Sequence, residues 1–190
     1  MRFVGAVMVL AVLMLGGLFA YARLTGFRAR STPPAVEAML ARRVRSWAVP
    51  ASERTRSAPT GPAVQWSDAL AHYADHCAVC HGVDGRGDTA MGRGLYPPAP
   101  DMTMTSTQSL TDGELFWVIE NGVRFTGMPG WGTGTSDGEA SSWALVRVIR
   151  QLPHLTTDDR QRIERAVPRS PDEIRQEIEE EQFLQGGNGR

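Results

Sequence analysis

Cys77-Ala78-Val79-Cys80-His81 places two thiols three positions apart, with an imidazole directly after the second. One helical turn at that spacing sets both sulfurs within reach of the two vinyl groups of a single haem, for two thioether bonds. His81 then lies beneath the iron as an axial ligand. Other uses of paired cysteines fit less well. A disulfide scaffold needs four or more, and the chain has two. A redox C-x-x-C of the thioredoxin kind needs a preceding strand and a β-α-β pattern, and none precedes Cys77. A structural zinc site needs two further thiolates or imidazoles at ligand spacing. Attachment of one haem c through Cys77 and Cys80 is the chemistry that all three residues serve.

The second axial ligand has to come from elsewhere. Of the eight methionines, Met1, Met8 and Met14 belong to an apolar N-terminal run and Met39 to the stretch after it. Met91 follows the attachment motif too closely to wrap over the opposite haem face, and Met102 and Met104 sit in a Thr-rich stretch. Met128 stands in Thr126-Gly127-Met128-Pro129-Gly130-Trp131, 47 residues after His81. Gly127 permits close backbone approach to a porphyrin, and Pro129 stiffens the loop so that the thioether points one way. The expected iron ligands are therefore His81 and Met128. His72 and His76 precede the motif on the same helix and His154 lies beyond the last core helix; all three read as surface or supporting residues. Trp117, Trp131, Trp143 and Phe125 are expected to pack around the macrocycle.

Elements must position these groups. Residues 3–22 are twenty without a charge, and a helix of that length spans about 30 Å, one hydrocarbon core. A retained membrane anchor is expected, although Ala20-Tyr21-Ala22 also fits a small-x-small cleavage site. Residues 23–61 form an Arg- and Pro-rich linker. Within it Val36, Leu40, Val44 and Trp47 recur at helical spacing, predicting an amphipathic helix over 35–48 that either packs on the globular domain and shows its Arg to water or lies on anionic headgroups beside the anchor. Residues 62–155 read as a compact all-α domain of about three to five helices. Trp66, Leu70, Tyr73 and Cys77 follow one stripe, while Thr111 to Glu114 and Ser136 to Glu139 are capping boxes opening two later helices. Residues 156–190 predict a short helix, then an acidic, helical or disordered extension capped at Ser170.

Charge divides along the same lines. Residues 1–61 hold nine Arg against two acids, residues 62–155 five Arg against ten acids, and residues 156–190 six Arg against nine. The whole chain stands at −1, which gives no reason to expect a nucleic-acid partner. Arg23, Arg28 and Arg30 follow the apolar span and by the positive-inside tendency would keep the body of the chain in the cytoplasm. Covalent haem attachment takes place outside the cytoplasm, and this overrules the charge flanks.

The stretches HYADHCAVCHGVDGRGD, LYPPAPDM, LFWVIENGVRFTGMPGW and WALVRVIRQLP resemble a class I cytochrome c domain of the bacterial membrane-anchored kind. The resemblance covers about residues 62–155. It implies an all-α fold whose first and last helices cross around a covalent haem, with one N-terminal transmembrane helix ahead of it. It also implies that a proline carbonyl after the haem helix holds the proximal imidazole N–H, a position matched by Pro97 or Pro98. The acidic haem domain departs from cytochromes that dock through a ring of lysines. The function expected is one-electron transfer in a respiratory or dehydrogenase chain, with no catalysed substrate reaction, as a tethered shuttle or a complex subunit. Redox proteins are the expected partners: an oxidase, a dehydrogenase or another cytochrome. The expected place is the inner membrane, single-pass, with the haem domain on the periplasmic or extracytoplasmic side. The alternative is a haem-based gas sensor or peroxidase-like enzyme whose Met128 dissociates.

Overall fold

The computed structural model describes residues 2–26, 28–29, 31–61, 63–169 and 171–186. Among these the chain is all-helical: α1 (Arg2–Thr25), α2 (Ala35–Ala48), α3 (Ala51–Arg54), α4 (Trp66–His76), α5 (Ala78–His81), α6 (Ala90–Gly94), α7 (Thr105–Gln108), α8 (Asp112–Asn121), α9 (Ser136–Gln151), α10 (Thr157–Ala166) and α11 (Pro171–Gly186). A 3₁₀ turn, Leu152–His154, follows α9. α1 contains a 22-residue apolar stretch, Phe3–Leu24, none of it buried against the rest of the protein. By length and composition that stretch is sufficient to cross a bilayer.

The core lies where α4 packs on α9, with α8 against α9 and α10 against α4. Leu70 and Tyr73 from α4, Leu115, Phe116 and Ile119 from α8, and Leu145, Val148 and Ile149 from α9 fill it. Each buried side chain of this size contributes about 1.5–3 kcal/mol relative to exposure. Local signals agree with the packing. The Thr111 hydroxyl accepts the Glu114 N–H while the Glu114 carboxylate accepts the Thr111 N–H, closing the expected capping box on α8. Arg150 of α9 reaches back to Asp112 at 2.8 Å and to the carbonyls of Gln108 and Leu110, tying the start of α8 to the last core helix.

Three expectations need correction. The cap of α9 is Thr135, whose hydroxyl accepts the Gly138 N–H, because Ser136 already lies inside the helix. The core does not stop at residue 155: Ile163 of α10 is fully buried and Asp159 accepts the Trp66 indole N–H at 2.8 Å. The poor apolar periodicity of α10 hides this, since one isoleucine and one hydrogen bond suffice to seat a ten-residue helix. The linker also meets the domain beyond α2, for Val49 is buried and α3 lies on α8. Finally, Val36, Leu40, Val44 and Trp47 of α2 face away from the domain rather than into it. The capping role given to Ser170 lies outside the described residues, as do residues 187–190.

Gly113 makes the α3–α8 contact possible: a Cβ there would lie 1.9 Å from the Glu53 carbonyl oxygen, a backbone atom that cannot swing aside. Gly113→Ala should therefore lower stability by about 1–3 kcal/mol as α3 is pushed off. Thermal unfolding of the haem-loaded protein followed by circular dichroism should show the fall; an unchanged midpoint would mean that α3 is not seated there.

Candidate haem-attachment site

Attachment begins where α4 ends. Cys77 still donates its N–H to the Tyr73 carbonyl at 2.9 Å, so it completes the last turn of α4. Cys80 and His81 then donate to the Cys77 carbonyl at 3.2 and 2.9 Å, winding α5 as a fresh turn. The two thiols thus stand one turn apart, unbridged and half-buried. Burial, with a smaller contribution from Cys80, pushes the Cys77 thiol up to about 12, and burial also raises Cys80. A redox-active pair is tuned in the opposite direction, toward thiolate. Among the described residues no three His, Cys, Asp or Glu side chains come together as a metal-holding group, so the pair has no zinc partners there.

His81 closes the turn. Its imidazole is drawn below the ordinary histidine range by burial, against a smaller upward pull from the Pro100 backbone carbonyl. Nδ1 is the buried nitrogen and makes no hydrogen bond of ordinary geometry. An orphaned buried ring nitrogen beside a carbonyl fits a ring that is fully seated only with the haem in place. The carbonyl that acts on the ring belongs to Pro100, not to Pro97 or Pro98. Backbone hydrogen bonds explain the choice: Ala99 N–H to Gly92 O at 3.0 Å and Met102 N–H to Gly85 O at 2.8 Å pull residues 99–102 back across the attachment loop. Pro97 and Pro98 lie on the way in to that return. Gly87, at φ +72°, permits it, since its N–H bonds the His81 carbonyl and a Cβ would sit 2.3 Å from Ala99 O.

Met128 is half-buried in a loop sewn to the end of α8. Val123 donates to the Met128 carbonyl at 3.1 Å, Met128 N–H to Thr126 Oγ1 at 3.1 Å, and Trp131 N–H to Ile119 O at 2.9 Å. Gly122 (φ +68°) lets the loop fold back, because a Cβ would meet Pro129 and Met128 backbone at 2.5–2.7 Å. The loop also touches the attachment helix: Trp131 meets the His76 ring edge-on, centroids 4.8 Å apart, and His76 immediately precedes Cys77. His72 in turn packs on His76 at 4.7 Å. The open side of Gly127 is filled by Leu95, whose Cδ2 is 2.5 Å from the position of a Cβ.

Elsewhere the expectations divide. Met102 is buried in the core and Met104 and Met91 are exposed. Trp143 stacks on Phe116 at 4.4 Å, on the flank where Arg56 covers Phe116. Phe125 is 93% exposed at φ +62° and packs around nothing in the protein. Pro100, Leu95 and Thr89, whose hydroxyl caps α6 and bonds the Val79 carbonyl, were missed in the sequence reading. Only the proline-rich run hinted at the first of them.

The family model described as cytochrome c oxidase, cbb3-type, subunit III matches residues 64–147, a span that contains Cys77, Cys80, His81 and Met128. No curated protein matches the chain.

Cys77→Ala and Cys80→Ala should each cut covalent haem sharply, and the double variant should abolish it. Haem staining of denaturing gels reads this directly, and undiminished stain in the double variant would defeat the attachment assignment.

Proposed function

We propose, on the premise that residues 64–147 are a c-type cytochrome domain, that this domain binds one haem c and passes single electrons between redox proteins. The haem, once bound, supplies the one-electron ferric–ferrous couple. Cys77 and Cys80 hold it covalently. His81 would hold the haem iron, and the burial that lowers its pKa favours the neutral imidazole, with a lone pair free to donate. The Pro100 carbonyl is placed to take the ring's other N–H, which orients the imidazole and raises its basicity. Met128 would be the second residue to hold the haem iron: the hydrogen bonds of its loop hold the thioether in one region, and sulfur would favour the reduced metal. With His81 and Met128 both given to the haem, the protein would leave small ligands no place to bind, and no substrate bond would be made or broken.

The observation that carries this reading is the two-turn junction at Cys77. There two neutral thiols and a desolvated imidazole share one short helix inside the matched span. α1 serves as the inner-membrane anchor, with the haem domain on the extracytoplasmic side. The matched family's description supports a partner within an oxidase complex. The excess of acids in residues 62–155 favours a basic docking surface on that partner.

Met128→Ala separates this reading from a gas-binding one. The ferric wild-type protein should show the weak long-wavelength iron–sulfur charge-transfer band, and its ferrous form should resist carbon monoxide at neutral pH. Met128→Ala should lose the band, admit carbon monoxide and lower the potential, while Met104→Ala leaves all three unchanged. Ready binding of carbon monoxide by the wild-type ferrous protein would overturn Met128 as a firm ligand.

A further inference from the structure

α2 is amphipathic in the wrong sense for a helix that belongs only to this fold. At about 100° per residue, Val36, Met39, Leu40, Val44 and Trp47 share one side with Arg43 among them, Glu37 lies at the edge of that stripe beside Val44, and Arg45 lies across the axis. The polar side is the one that meets the haem domain. The Tyr96 hydroxyl bonds the Glu37 carboxylate. Arg45 is half-buried; desolvation lowers its pKa, and attraction to Glu114 opposes that. The Ser46 carbonyl accepts from Arg54, and Val49 is buried just past the helix end. The apolar side meets no protein: Val44 is 60% exposed and Trp47 83%.

We propose that this apolar face of α2 lies on the anionic lipid surface of the membrane that α1 crosses, so that α2 is a wedge holding the cytochrome domain against the bilayer. This rests on α1 being retained as the anchor. Three observations select lipid as the occupant. The first is continuity. Only nine residues separate Thr25 of α1 from Ala35 of α2, at most about 30 Å of extended chain, so α2 cannot leave the vicinity of the bilayer. The second is charge. Arg23, Arg28, Arg42 and Arg43 are all exposed, in the segment with nine Arg against two acids. Such juxtamembrane arginines are drawn to anionic headgroups. The third is composition. An apolar stripe flanked by arginine and ending in an exposed tryptophan matches the headgroup–acyl boundary, where an indole finds both apolar and polar surroundings.

The wedge limits motion. α2 meets the domain at the Glu37–Tyr96 hydrogen bond, and α3 is seated against Gly113 of α8. The flexible part of the tether therefore shrinks from the 39 residues of 23–61 to the few between α1 and α2. The domain is held low over the membrane, suited to a partner embedded beside it.

The test uses full-length, haem-loaded protein in vesicles containing anionic phospholipid, with a nitroxide at Val44→Cys and, separately, at Leu40→Cys. Cys77 and Cys80 are consumed as thioethers, and unlabelled background is checked on the wild type. Leu13→Cys in α1 serves as the bilayer reference and Ala71→Cys, exposed on α4, as the water reference. Labels at 44 and 40 should collide with oxygen more than with a soluble nickel chelate, as at 13 and opposite to 71. Water-like labels at 44 and 40, with 13 in the bilayer, overturn the wedge and leave the anchor standing. Labels shielded from both colliders mean that protein covers the face, and also overturn it. A water-like label at 13 overturns anchor and wedge together.

Discussion

Tyr73 donates its hydroxyl proton to the Gly82 carbonyl at 2.8 Å from a position with no solvent exposure. That bond spans the attachment turn from α4 to its exit, so the geometry of Cys77, Cys80 and His81 is set by how firmly α4 is held. Burial drives the Tyr73 phenol well above its ordinary range, which keeps the O–H a donor. Losing the partner would leave a buried polar group unsatisfied at a cost of about 1–3 kcal/mol. α4 is held in turn by α9 on one side and α10 on the other. The attachment turn therefore inherits its rigidity from helices that contribute no ligand.

Beyond the turn, the site is assembled by backbone returning on itself. Residues 99–102 come back over the loop through Gly85 and Gly92, and the Met128 loop comes back over the end of α8 through Gly122. Both returns place carbonyls against positions where a side chain would collide. This is why the domain spends glycine so freely around its chemistry while keeping its core helices ordinary. The His76–Trp131 contact joins the two halves, linking the helix that carries the thiols to the loop that carries the thioether.

The linker changes how the whole molecule is understood. A flexible tether would let the domain search a hemisphere around an anchor, whereas α2 and α3 held as proposed would leave it one short hinge. A domain held in that way meets membrane-embedded partners at high effective concentration and soluble ones less readily. The proposed wedge would suit service to a neighbouring membrane complex better than long-range shuttling, and the oxidase-subunit description of the family model matched by residues 64–147 supports that reading.

What could be known from the sequence alone was what depends on near neighbours in the chain. The C-x-x-C-H spacing, the Thr111 capping box, the apolar run of α1 and the stripe of α4 are all local patterns, and each is found where it was expected. What depends on distant segments meeting was decided only by tertiary structure. The resemblance pointed to Pro97 or Pro98 for the carbonyl at His81, and only the return of the chain through Gly85 and Gly92 brings Pro100 there instead. The periodicity of α2 located an apolar stripe but not its direction, because a helical period is the same whether the stripe faces a core or a lipid surface. The single buried isoleucine of α10 carried no periodic signal at all, since its place in the core is set by α4, ninety residues earlier in the chain.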